Sequence, residues 1–158
     1  MKTLFILVAG FFLLAQSFAQ EVSPENQSYI SLGMNISSAS GIGLSFRTQP
    51  SFPLAFVFTG GVIKTSNQTD YTVGTEIQFS VLRGLNRRLF ITTGAGYYYD
   101  RSDPLRTLAL GFGAEGPISG KGFYKNLTMG LTVNYPAMYF TKTTEITFGA
   151  GVYAYFNF

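Results

Sequence analysis

The chain has 158 residues, no cysteine, no histidine, 18 glycines and a formal net charge of +3, and only 12% of its residues are charged. Without cysteine there is no disulfide framework, and so small a charge bias offers no basis for nucleic-acid binding. Soluble domains carry roughly 25% charged residues, so a surface this poor in charge argues against water as its only solvent.

The chain opens with "MKTLFILVAGFFLLAQSFAQ". Lys2, the apolar run Leu4 to Ala15 and the small-x-small site Ser17-Phe18-Ala19 predict a secretory signal peptide over residues 1–19, cleaved after Ala19. The apolar run falls short of the ~20 residues of a membrane-spanning helix, and no later segment offers one. Residues 20–158 are then a single domain.

Eight alternating segments follow. Ile30, Leu32, Met34 and Ile36 alternate with Tyr29, Ser31, Gly33, Asn35 and Ser37; after "SSAS", Ile42, Leu44 and Phe46 alternate with Gly41, Gly43, Ser45 and Arg47. "TQPSFP" reads as a turn by its prolines. Leu54, Phe56, Phe58 and Val62 then interleave with Ala55, Val57, Thr59 and Gly61, and Tyr71 to Val81 alternate around Thr72, Gly74, Glu76, Gln78 and Ser80. "RGLNRR" is the next turn. Leu89 to Tyr99 alternate around Phe90, Thr92, Gly94, Gly96 and Tyr98, and "DRSDP" ends that segment. Leu108 to Ala114 alternate around Thr107, Ala109, Gly111, Gly113 and Glu115. A Gly-rich connection, Gly116 to Lys125, leads to Leu127 through Tyr135, and "PAMYFTKT" connects to Ile146 through Phe158. Period-two alternation over such lengths predicts strands, of the ~9–11 residues that cross a bilayer at a tilt.

The polar faces decide which solvent each side meets. They carry Gly, Ser, Thr, Asn and Tyr, with Glu76 as the mid-strand charge and Arg47 and Glu115 at strand ends. Bulk water would ask for Lys, Glu, Asp and Arg instead; a confined lumen suits small neutral groups. The fold expected is all-β: a closed eight-stranded antiparallel up-and-down transmembrane β-barrel, apolar outside and polar within. The lumen candidates are Glu76, Arg47, Gln78, Tyr153 and Tyr155. Glu76 is expected to pair with Arg47, two strands earlier and in phase, or to rest uncharged or hydrated among Gln78, Thr132 and Asn134. The inward glycines leave room for Tyr29, Tyr98, Tyr153 and Tyr155, or for water. Tyr71, Tyr97, Tyr99 and Tyr135 towards one end, and Phe46, Phe123, Phe156 and Phe158 towards the other, read as two interfacial girdles.

Together these segments resemble the small eight-stranded bacterial outer-membrane barrels of the OmpA/OmpX general type, over the whole of residues 1–158. The resemblance implies an outer-membrane location, outer-membrane lipid as surroundings and a monomer. It also implies that the assembly machinery reads the terminal aromatics Phe156 and Phe158. The glycine usual in that family five residues before the end is Tyr153 here.

Other chemistry finds little footing. "GFGAEG" matches a dinucleotide fingerprint in letters, but alternation runs through Phe112 and Ala114, and no helix follows to meet a pyrophosphate. "DRSDP" falls short of the six or so oxygens of a calcium loop, and Asn67-Gln68-Thr69 reads as a plain loop. With no histidine and no paired carboxylates, no catalysis and no cofactor are expected. Arg83, Arg87 and Arg88 in one turn and Lys121 and Lys125 in another form basic ends that suit solvent or anionic headgroups. The expected role is non-enzymatic, structural or surface-interacting in the envelope. The alternatives are a narrow solute conduit and a secreted soluble ligand-binding barrel.

Overall fold

The computed structural model describes residues 29–51, 53–64, 69–83, 87–99, 104–118, 126–141 and 143–158. The expected signal peptide, Asn67, Asp100, Asp103, Lys121, Phe123 and Lys125 lie outside the described residues.

Eight strands run in order: β1 (Tyr29–Ser37), β2 (Gly41–Ser51), β3 (Leu54–Lys64), β4 (Thr69–Arg83), β5 (Arg88–Tyr99), β6 (Leu105–Pro117), β7 (Leu127–Phe140) and β8 (Thr144–Asn157). Each pairs antiparallel with its neighbour in sequence, and β8 pairs with β1 from Ser31↔Asn157 to Ser37↔Gly151, closing the barrel. The Phe158 N–H donates to the Ile30 carbonyl at 2.9 Å. The last strand therefore has a partner on each side, and the sheet has no edge along that seam.

Period-two alternation appears as alternating exposure. On β4, Thr72, Glu76, Gln78 and Ser80 are buried while Tyr71, Val73, Ile77 and Phe79 are exposed. The usual polarity is inverted all round the barrel. Leu44, Phe58, Val73, Phe112, Leu131 and Phe148 stand outside, and the interior is mostly Ser, Thr, Asn, Gln, Glu and Arg. Aromatics cluster at the two ends. Tyr99 lies 6.5 Å from both Tyr71 and Tyr97, and at the opposite end Phe156 meets Phe158 edge-on at 5.1 Å.

Two connections are shorter than the prolines suggest. β2 continues through Pro50 to Ser51, and β7 continues through Pro136 to Phe140. In both places the ladder is irregular, between Thr48 and Ser51 and between Asn134 and Ala137. A proline lacks the N–H of a regular ladder but fits where the pairing is interrupted, so it marked a bulge rather than a turn. The Gly-rich stretch likewise begins inside β6, which runs to Pro117. Arg47 and Glu115 therefore sit within strands, two or more residues from their ends.

The β1–β2 hairpin turns early on its rim of the barrel. β1 ends at Ser37, while β3 and β4 pair out to Lys64↔Thr69 and β7 and β8 to Phe140↔Thr144. Its turn, Ser38–Ala39–Ser40, leads into Gly41 at φ +97°, a left-handed conformation that favours glycine. The turn bends into the bore, with Ala39 and Ser40 fully buried.

Candidate functional site: the lumen

The lumen has two layers. The layer beneath the β1–β2 turn is centred on Glu76 of β4. Its carboxylate accepts hydrogen bonds from Ser37 (3.0 Å), Ser40 (2.6 Å), Gln78 (3.2 Å) and Thr92 (3.3 Å). Of these donors Ser37 precedes the turn and Ser40 lies in it, so Glu76 anchors the hairpin tip inside the barrel. Others hold it from around the wall. Asn35 donates to Ser40 at 2.9 Å, Asn134 donates to Ser38 at 3.1 Å, and Thr107 donates to the Ala39 carbonyl at 2.9 Å. Tyr98 donates to the Ser37 carbonyl at 2.9 Å.

Glycines make room for that turn. A Cβ at Gly74 would overlap the Ser40 backbone, one at Gly96 would stand 2.7 Å from the Ala39 carbonyl oxygen, and one at Gly149 would overlap the Ser38 hydroxyl. Much of the space the inward glycines leave open is thus taken by backbone from the chain's own first hairpin. No periodicity announces this, because "SSAS" looks like any surface turn.

The second layer, towards the end that carries Phe156 and Phe158, is ionic. Arg47 of β2 and Glu115 of β6 form a buried salt bridge across the bore, 68 residues apart in sequence. Arg88 of β5 joins them. One of its terminal nitrogens donates to Glu115 at 3.3 Å, and its Nε stands 3.1 Å from the other carboxylate oxygen, a charge contact without hydrogen-bond alignment. Tyr153 donates to Glu115 at 2.9 Å. The Arg47 guanidinium lies 4.4 Å from the Tyr155 ring centre, and the Arg88 guanidinium 4.6 Å from that of Phe90, within cation–π range. Tyr153 occupies the space over Gly130, and Phe90 that over Gly113.

Gln78 joins the layers. Its amide oxygen accepts from Arg88 at 2.5 Å, and its nitrogen donates to Glu76 at 3.2 Å. All five candidate lumen residues, Glu76, Arg47, Gln78, Tyr153 and Tyr155, are buried in the bore. Phe156 and Phe158 lie on the outer face, Phe158 exposed.

The pairing of Glu76 with Arg47 is not found. The two share a register row, Arg47↔Val57↔Glu76, but the side chain between them is Val57. Hydroxyls and the Gln78 amide take Glu76, while Arg47 reaches across to Glu115. Arg88, expected in a basic turn, is buried in the lumen. The signal was available: Arg88 precedes Leu89 and so falls in phase with Phe90 and Thr92. What sequence could not supply was the pairing across the closed bore, where Glu115 of β6 meets Arg47 of β2 and Arg88 of β5.

Several buried polar atoms have no protein partner: both amide atoms of Gln49, Arg47 Nε, Thr132 Oγ1 and Asn134 Oδ1. Buried polar groups of this kind are commonly met by internal water.

Comparison with solved structures finds the same fold. The N-terminal β-barrel domain of Pseudomonas aeruginosa OprF aligns with a TM-score of 0.56 at 12% identity, over 85% of this chain and 100% of that one. No protein-family model and no curated protein sequence matches the chain.

Proposed function

We propose that the chain is an integral outer-membrane barrel of the OmpA/OmpX general type, with a non-enzymatic, structural or surface-interacting role in a bacterial envelope. The observation that carries this is the pairing of an apolar exterior with a filled, hydrogen-bonded interior. Lipid accepts the first, and the closed ladder pairs neighbouring strand backbones all round the barrel, as a membrane-spanning sheet requires. The fold shared with the OprF domain supports the location. A soluble ligand-binding barrel is disfavoured by the same inversion, since its large apolar side chains would face water. The chain has no histidine, and among the described residues the lumen brings no two carboxylates together to act as acid and base. Its charges serve instead to tie strands to one another and to the first turn.

The test is twofold. Purified barrel is expected to need detergent and to migrate differently on a gel when unheated. In planar bilayers it is expected to show no steady unitary conductance. Solubility without detergent and an unchanged mobility would refute the membrane assignment. A large stable conductance would favour the second reading, a narrow water or solute conduit, for which the unpartnered lumen atoms at Gln49, Thr132 and Asn134 are the supporting observation.

A further inference from the structure

The outer wall carries a shallow groove of about 420 Å³ at the end of the barrel that bears Phe156 and Phe158, lined by Arg87, Ala114, Gly116, Met129, Leu131 and Val152 together with backbone of Glu115 and Gly130. Its shape follows from register. Ala114 pairs with Leu131, which pairs with Val152, and Gly116 pairs with Met129. The long side chains of β7 thus form one bank, while the small residues of β6 form the floor. The other bank is the stem of Arg87, whose Cγ would stand 3.6 Å from a Cβ placed on Gly116. Met129 and Leu131 are exposed, as lipid-facing residues of such a wall would be.

Among the described residues, Arg87 is the one charged side chain lining this otherwise apolar surface, because the Glu115 carboxylate points inward to Arg47 and Arg88. Arg87 itself is exposed and has no carboxylate partner among the described residues. Its stem lies against Gly116, and long cationic side chains at a membrane interface run their stems over apolar surface with the charged head towards the headgroups. A planar guanidinium offers two parallel N–H donors to a phosphate.

We propose that this groove binds one anionic phospholipid, with an acyl chain against Ala114, Met129, Leu131 and Val152 and the phosphodiester on Arg87. The assignment rests on the membrane reading above. It adds a defined lipid position to a wall that would otherwise be solvated by any bilayer. A zwitterionic lipid fits the groove equally well but brings its own cation beside Arg87, so the preference is for phosphatidylglycerol over phosphatidylcholine.

The experiment is native mass spectrometry of the detergent-released barrel with phosphatidylglycerol or phosphatidylcholine at equal concentration. One cation near an anionic surface contributes about fivefold in binding, and phosphatidylglycerol adducts are expected to exceed phosphatidylcholine adducts by about that factor. Arg87→Gln is expected to abolish the preference while keeping both adducts. Ala114→Phe, which fills the floor, is expected to reduce both. Arg83→Gln, on the preceding strand, is expected to change neither.

Equal retention of the two lipids by the unmodified protein, a preference that survives Arg87→Gln, or adducts untouched by Ala114→Phe would each overturn the proposal. So would displacement of phosphatidylglycerol by inorganic phosphate, which would make Arg87 a bare anion site. The heat-dependent gel shift certifies that each variant is folded, with Ala114→Leu replacing the phenylalanine variant if that one lacks the shift. Loss of the shift in the unmodified protein would instead count against the membrane reading itself.

Discussion

Glu115 and Glu76 are both buried carboxylates, but Glu115 meets two guanidiniums and a phenol, whereas Glu76 meets hydroxyls and an amide. Removing one partner of a buried ion pair leaves the other charge uncompensated and costs about 3–5 kcal/mol. Glu115→Gln, which strands both Arg47 and Arg88, is therefore expected to destabilise the barrel by at least about that much. Glu76→Gln keeps the shape and most of its hydrogen-bonding groups, and is expected to cost only about 1–3 kcal/mol. Reversible urea unfolding in lipid vesicles measures both. The same measurement gives a double-mutant cycle. Arg47→Ala and Glu76→Gln are expected to be additive within about 0.5 kcal/mol, while Arg47→Ala and Glu115→Gln are strongly non-additive. Coupling of Arg47 to Glu76 instead would mean that the bore rearranges from the contacts described.

At the scale of elements, the β1–β2 hairpin carries its own tip into the interior. The turn fits only where the opposite wall lacks a Cβ, at positions such as Gly74 and Gly96. Gly96→Val is expected to push Ser38–Ser40 out of the bore, to cost about 1–3 kcal/mol as overpacking does, and to raise conductance. Gly60→Val is the matched control. It faces outward, where a Cβ would come no nearer than 4.0 Å to the Thr72 carbonyl, and its effect on conductance is expected to be nil. Limited proteolysis near Ser38 reads the same event without a bilayer. Unchanged cleavage in Gly96→Val would show that the turn is held by its hydrogen bonds to Glu76, Thr107 and Asn134 rather than by the space beneath it.

For the whole molecule, closure is the decisive event, and it depends on β8 finding β1. Seven register pairs and the Phe158–Ile30 hydrogen bond make that seam. Phe156 meets Phe158 edge-on at the end of the seam away from the β1–β2 turn, where a barrel of the outer-membrane type would carry its assembly signal. Replacing both with Ser is expected to lower membrane yield more than Tyr135→Ser does, although Tyr135 is also exposed and stacks on Phe148 at 4.5 Å. The contrast separates assembly from lipid contact, since all three are outward aromatics. Equal yields would remove any special role for the terminus.

Alternation makes most of the fold legible in the sequence. Strand number, the face of nearly every residue and the closed antiparallel order follow from period two, because a one-residue slip would turn a whole strand inside out. It also placed Glu76, Arg47, Gln78, Tyr153 and Tyr155 in the interior. Strand ends were less legible at Pro50 and Pro136, since a bulge and a turn use proline for the same missing donor. Who pairs with whom inside the bore lay beyond the sequence. Arg47 meets Glu115, and Arg88 joins them, because closing the sheet sets β2, β5 and β6 face to face across a narrow lumen. Glu76 meets Ser40 because a short hairpin bends inward over glycines on other strands. Local pattern decides which way a side chain points; only the closed barrel decides what it finds there.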